Sequence, residues 1–272
     1  MYLEDKIIPD KTSLCTAYIH GEGLNLEDGF IASSQISVRS NQVKHCEGAV
    51  CVGKFVAYDI LDNGEYSRAA LQQRVIDEYN KLPDGTIIDC RITALAHYGA
   101  FVDIGYGVSA LIYIDEISLI KGFSSVFLLK PDLVIRAVKL PNGDDGKRFL
   151  SLRMLLPTFD EYMEQIHVGD VVVGIVDSTN ETGTFIALGC NLVGMTDDLV
   201  GLEKYEKVSV LVRHIQPERG KVKLSIVSKQ DKKAELPLPI DYGKNASLSR
   251  ITHWEYNSSN PDCRRKRTFK ED

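Results

Sequence analysis

The residues able to do chemistry are thinly spread through the 272 positions. The histidines are His20, His45, His97, His167, His214 and His253. None falls in H-E-x-x-H, the helical spacing that brings two imidazoles and a glutamate base onto one metal. No G-x-S-x-G elbow exposes a serine, and no G-x-x-x-x-G-K-[ST] loop cradles phosphate. Gly21-Glu22-Gly23 and Gly105-Tyr106-Gly107 lack the further glycine and the strand-to-helix setting of a dinucleotide site. The six cysteines, Cys15, Cys46, Cys51, Cys90, Cys190 and Cys263, form no C-x-x-C pair. Cys46 and Cys51 with His45 start like a zinc site, but no second pair follows at finger spacing. Reduced thiols are therefore expected, with no metal and no cofactor. Asp144-Asp145 and Asp197-Asp198 sit in turn-like stretches, where acids hydrogen-bond locally. No set of catalytic residues emerges, and an enzyme is not expected.

What remains is a chemistry of flat rings and cations. In Gly99-Ala100-Phe101-Val102-Asp103-Ile104 a period of two puts Ala100, Val102 and Ile104 on one face and Phe101 on the other. Phe101 either presents its ring outward or fills a barrel. Trp254 and Tyr256 either anchor a tail or stack on a ligand. The run Arg264–Arg267 supplies phosphate affinity or is a solvated end. The overall charge of −6 argues against a general polyanion binder, because neutralising phosphates takes Lys and Arg. The charge is uneven: −4 over residues 1–81, zero over 82–157, −4 over 158–229 and +2 over 230–272.

The elements that must hold these groups read as short strands. GTIIDCRITALAHYGAFVDIGYGVSALIYIDEI, closing in KRFLSLR, is echoed by GDVVVGIVDSTNETGTFIALGCNLVGMTDDL, closing in KVKLSIV. The first copy is ten residues longer between its G-x-F and its Leu-Ser, an excess assigned to ISLIKGFSSVFLLKPD. Gly99 and Gly183 sit just inside strands, where glycines mark the sharp coil of a small barrel. Val171, Val173 and Ile175 alternate with Val172, Gly174 and Val176, as a strand packed on both sides would. The fold class is thus all-β: tandem five-stranded OB-fold barrels, which bring the sheet edges together, with short linking helices. The expected divisions are a degenerate OB-like segment (1–65), a linker helix (66–81), the clearest repeat (82–156), a second helix (157–166), another repeat (167–229) and an extended tail with a basic end (230–272). The first helix should bury Ala69, Leu71, Val75 and Ile76. The second starts at Pro157-Thr158 with Asp160 and Glu161 in its first turn. No run approaches the ~20 apolar residues of a membrane span, and the N-terminus does not read as a signal peptide. Both point to a cytoplasmic location.

Tyr98-Gly99-Ala100-Phe101-Val102-Asp103, Ala110-Leu111-Ile112-Tyr113-Ile114 and Leu150-Ser151-Leu152-Arg153 resemble the S-one RNA-binding domain family, the OB-fold repeat of the largest bacterial small-subunit ribosomal protein. Thr182-Gly183-Thr184-Phe185-Ile186, Val193-Gly194-Met195 and Leu224-Ser225-Ile226 match it less fully. Residues 14–72 match loosely, with Gly29-Phe30-Ile31 and Ser67-Arg68 at plausible places. The arrangement, with the tail's Ile-Thr-His-Trp-Glu-Tyr, also resembles small multi-repeat members in Gram-positive gut bacteria.

The resemblance implies that Tyr98 and Phe101 are paired stacking aromatics and that Tyr113 stands where the family usually has His. It also implies that Lys147 or Arg148 contacts phosphate. In the weaker repeat only Phe185 survives, with Lys221 as its base; Thr182 replaces the first aromatic, and Asp197 takes the usual His position. The implied partner is single-stranded RNA, with messenger RNA the expected form and the ribosome nearby. An alternative is an acidic barrel module that docks on the ribosome or another RNA–protein complex.

Overall fold

A computed structural model describes residues 1–38, 51–120, 128–197, 201–235, 238–259 and 265–270. His45, Cys46, Asp198, Cys263, Arg264 and the centre of the ISLIKGFSSVFLLKPD connection lie outside the described residues. The chain is mostly strand and divides into two compact units, Met1–Pro83 with Asp103–Ser109, and Asp84–Val102 with Ala110–Asp272. Among the described residues, no helix is long and apolar enough to cross a membrane.

The first unit is built on β1 (Lys11–Ile19), β2 (Gly23–Leu26), β3 (Gly29–Ala32), β4 (Phe55–Ile60) and β5 (Tyr66–Ser67), in the order β3-β2-β1-β4-β5. This is the OB order. Its core is Cys15, Leu24, Leu26, Ile31, Ile36, Val56 and Tyr58. The fully buried Tyr58 stacks on Tyr66 at 4.5 Å and donates to Asp28 Oδ2 at 2.6 Å, so its polar tip is satisfied. The Ser67 side chain accepts from the Ala70 amide and starts α1 (Arg68–Lys81). That helix buries Leu71, Gln72, Val75 and Tyr79, whereas Ala69 and Ile76 stay half-exposed. The expected apolar face was rotated because Gln72 is held inside as a donor. Gln72 and Arg68 both donate to the carbonyl of Tyr106, in the same unit.

One sequence match needs correcting. The glycine that opens the second strand of the first barrel is Gly23, not Gly29. A Cβ on Gly23 would lie 2.0 Å from the Ile31 carbonyl oxygen; the matching distances are 2.2 Å for Gly99 to Ile112 and 2.3 Å for Gly183 to Thr196. All three glycines let a second strand press against a third. Gly29-Phe30-Ile31 begins the third strand instead, and the position equivalent to Phe101 is Asn25.

The second unit holds two barrels and the tail. In the first of them, β6 (Ile87–Ala96), β7 (Gly99–Asp103), β8 (Ser109–Tyr113), β9 (Val134–Lys139) and β10 (Leu150–Ser151) run in the order β10-β9-β6-β7-β8. A parallel bridge from Leu111 to Phe149 links the two ends. Helix α2 (Ile114–Ile117) follows β8. Helix α3 (Phe159–Met163) opens on a capping box between Thr158 and Glu161. The next barrel is closed, β11-β12-β13-β15-β14, from β11 (Val171–Asn180), β12 (Gly183–Ala187), β13 (Val193–Thr196), β14 (Glu206–Gln216) and β15 (Lys221–Lys233). Val171 and Val173 are 59% and 55% exposed, so β11 is not packed on both sides at its start. Its outer face there has no covering layer among the described residues.

The tail is not a free linker. Residues 250–269 carry a hairpin, β16 (His253–Glu255) with β17 (Lys266–Thr268). Ile251, Trp254, Tyr256 and Phe269 enter one core with Ile87, Val138 and Leu140 of one barrel and Val176, Ile186 and Val210 of the next. Trp254 and Tyr256 therefore anchor the tail. Asn191 also ties this unit together. Its side chain accepts from the Leu119 amide at 2.8 Å, and its carbonyl accepts from the Tyr256 hydroxyl at 2.8 Å.

Candidate nucleic-acid interface

The rings cluster on the β7–β8 side of the middle barrel. Ala100 and Val102 are fully buried while Phe101 is half-buried, so the alternation turns its ring out of the core. Tyr98, in the turn before β7, is 41% exposed and meets Phe101 edge-on at 6.0 Å. His97 is exposed and sits edge-on to Tyr98 at 5.0 Å. Tyr113, at the end of β8, is 42% exposed. The Ile114 amide donates to the Tyr98 carbonyl, which ties the two ends of this surface together.

A fourth ring escaped the sequence reading. Phe149 stacks on Tyr113 at 5.2 Å with their planes 25° apart. No motif points to it. Its place follows from the Leu111–Phe149 bridge, a pairing across 38 positions that no local pattern encodes.

The expected cations are less committed to the surface. Lys147 is exposed but ion-pairs with Asp145. Arg148 is half-buried, and its carbonyl accepts from the Leu111 amide. In the closed barrel Phe185 is half-buried opposite Met195, and Lys221 is exposed. Asp197, in the position of Tyr113, is held by Lys223 at 3.0 Å. Thr182 is tied into its turn by Asn180 Oδ1, at 2.9 Å from its amide and 2.6 Å from its hydroxyl. The structure thus brings Tyr98, Phe101 and Tyr113 onto one barrel and leaves Phe185 and Lys221 on another.

Below Tyr113 lies a charge cluster. Glu116 Oε1 accepts from Arg153 Nη2 and Arg267 Nη2, each at 3.1 Å. The Arg153 guanidinium lies 5.5 Å from the Trp254 ring centroid. Burial pushes the Arg153 guanidinium below its ordinary pKa, and Glu116 opposes that shift. Among the described residues, no group of three or more His, Cys, Asp or Glu has the arrangement of a metal site.

Residues 81–138, which carry His97, Tyr98, Phe101 and Tyr113, match the S1 RNA binding domain family. Over this segment the chain is similar to that family. The matched segment runs from the end of α1 to β9, with Phe149 beyond it. The chain is 29% identical over 190 aligned residues to small ribosomal subunit protein bS1 of Staphylococcus aureus strain COL, with 63% of this chain and 46% of that protein covered. The bS1 protein of Streptococcus pneumoniae R6 is 25% identical over 190 residues, with 65% and 47% covered. That of Chlamydia muridarum is 30% identical over 162 residues, with 54% and 28% covered. The chain spans about half, or less, of the length of these relatives. Among solved structures, a Streptococcus pneumoniae multidomain protein with nucleic acid binding domains aligns with a TM-score of 0.27 and 13% identity, covering 83% of this chain and 75% of that one.

Proposed function

We propose that this protein binds single-stranded RNA through the S1 domain in its middle barrel and serves translation in the cytoplasm, as a binder and not as an enzyme. One observation carries the reading: Tyr98, Phe101 and Tyr113 are all partly open on one side of one barrel, with Phe149 behind Tyr113. Base–aromatic stacking contributes about 1–3 kcal/mol per base and tolerates any sequence. Lys147 and Arg148 meet backbone phosphate at the edge of the rings. Phe185 and Lys221 offer a weaker second contact on the closed barrel. The working units are the barrels of 1–65, 82–156 and 167–229, joined by helices. The similarity to bS1, a small ribosomal subunit protein, supports the ribosome as the place of action, with messenger RNA as the proposed ligand.

A docking role has its own observation. Val168, Val171, Val173 and Val227 are exposed in and beside the closed barrel, where rings are few. Nuclease-resistant association with ribosomes would favour it.

Fluorescence anisotropy of a labelled single-stranded RNA tests the main reading. Joint replacement of Tyr98 and Phe101 by alanine should weaken binding about tenfold or more. Unchanged affinity would remove the proposed surface.

A further inference from the structure

We infer that the cleft between the Tyr113–Phe149 pair and the C-terminal hairpin is a guanine pocket within the RNA site. The inference rests on the RNA-binding reading and adds base specificity to it. Tyr113 and Phe149, Asp115 and Glu116, and Arg267 and Phe269 from the tail line the cleft. Its volume is about 380 Å³, room enough for a base and its sugar.

The polarity of this cleft is particular. Glu116 is only 6% exposed. Its Oε1 is engaged by Arg153 and Arg267, while Oε2 has no hydrogen-bond partner among the described residues. A buried acceptor without a donor is costly, and such atoms commonly mark a place where something else binds. Arg267 is one-third exposed and lines the cleft, with Nη2 on Glu116 and Nη1 at 4.0 Å from the Met154 sulfur. A lone acceptor, a second carboxylate and a guanidinium are thus set beside a stacking ring.

Guanine matches that order of groups. Its Watson–Crick edge presents two adjacent donors, N2–H and N1–H, beside the O6 acceptor. Carboxylate oxygens receive the donors, and the arginine fork reaches O6 or N7, a strongly specific arginine–base pairing. Adenine and cytosine present a single amino donor beside a bare ring nitrogen. Uracil flanks its one N–H with two carbonyls, one of which would face a carboxylate. Recognition of splayed bases by stacking plus edge hydrogen bonds is how single-stranded RNA is read with specificity.

The test uses the whole chain and four fluorescein-labelled octanucleotides. All are oligouridine except at one central position, which is uridine, guanosine, inosine or adenosine. Inosine is guanosine without the N2 amino group. The guanosine oligomer should bind about tenfold tighter than oligouridine, and inosine should lose most of that gain. Binding should also shift the emission of Trp254, the one tryptophan in the chain, whose ring lies against Arg153. In Glu116→Gln and Arg267→Lys the ratio of guanosine to uridine affinity should fall to about one. The wild-type series decides the matter even if a variant folds poorly. Equal affinity for all four oligomers, or preference for adenosine, overturns the guanine pocket and leaves the RNA reading standing. Failure to bind any of them overturns both.

Discussion

Replacing Asn191 by alanine isolates what holds the second unit together. Asn191 is 1% exposed, at the base of the β12–β13 turn. Its Oδ1 accepts from the Leu119 amide at 2.8 Å, and its Nδ2 reaches the carbonyls of Arg153 and Pro157 at 3.5 and 3.4 Å. Truncation strands the Leu119 amide in a part-buried place, a loss of about 1–3 kcal/mol. The two Nδ2 contacts lie at the limit of hydrogen-bond length, so about half a kcal/mol each is generous. The sum is about 2–4 kcal/mol. The bond from the Tyr256 hydroxyl survives, because it ends on the backbone carbonyl. Urea unfolding, followed by circular dichroism and by Trp254 fluorescence, measures the loss. Tm should fall by roughly 5–12 °C. A destabilisation below about 1 kcal/mol would refute the reasoning, since it would mean that the amide finds another partner when the side chain is gone.

Three further outcomes follow from other positions. Gly183→Ala should cost more than about 2 kcal/mol in a thermal melt, because φ is +141° and the new Cβ meets the Thr196 carbonyl at 2.3 Å; Gly146→Ala, at φ +72° with open space around it, should cost about 1 kcal/mol from backbone strain alone. Tyr113→Ala should weaken RNA binding about tenfold, while Tyr113→Phe should stay within about twofold, since stacking needs the ring and not the hydroxyl. Burial raises the pKa of Asp103 against the pull of the Gly105 and Gly107 amides, so its charge costs stability above the folded pKa, and that cost fades as pH falls through it. Asp103→Asn keeps an acceptor for both amides and should melt higher than the wild type at neutral pH, with the gap closing in mild acid.

The parts of this molecule that could be read in advance are those written locally. The alternation around Phe101 and the glycines before it give two barrels and the outward turn of that ring. Phe149 and Arg267 belong to the same patch but reach it through pairings across long stretches of chain, and their neighbours in sequence give no sign of it. The confusion of Gly29 with Gly23 has a similar origin. Both glycines begin strands, and only the approach of Gly23 to the Ile31 carbonyl distinguishes them. Val171 and Val173 misled for the opposite reason, because an apolar residue at a strand start reads the same whether or not anything covers it. The tail looked polar and extended, yet four apolar side chains within twenty residues were enough to fold it back.

That return of the tail sets an order of events during synthesis. The Thr86–Arg250 bridge and the contacts of Ile251 and Phe269 seal the opening of β6, the strand that begins the middle barrel. A growing chain can close its third barrel before that seal exists. Until residue 269 has left the ribosome the middle barrel keeps an uncovered apolar edge, and a chain stalled short of that point would carry the rings on an unfinished support.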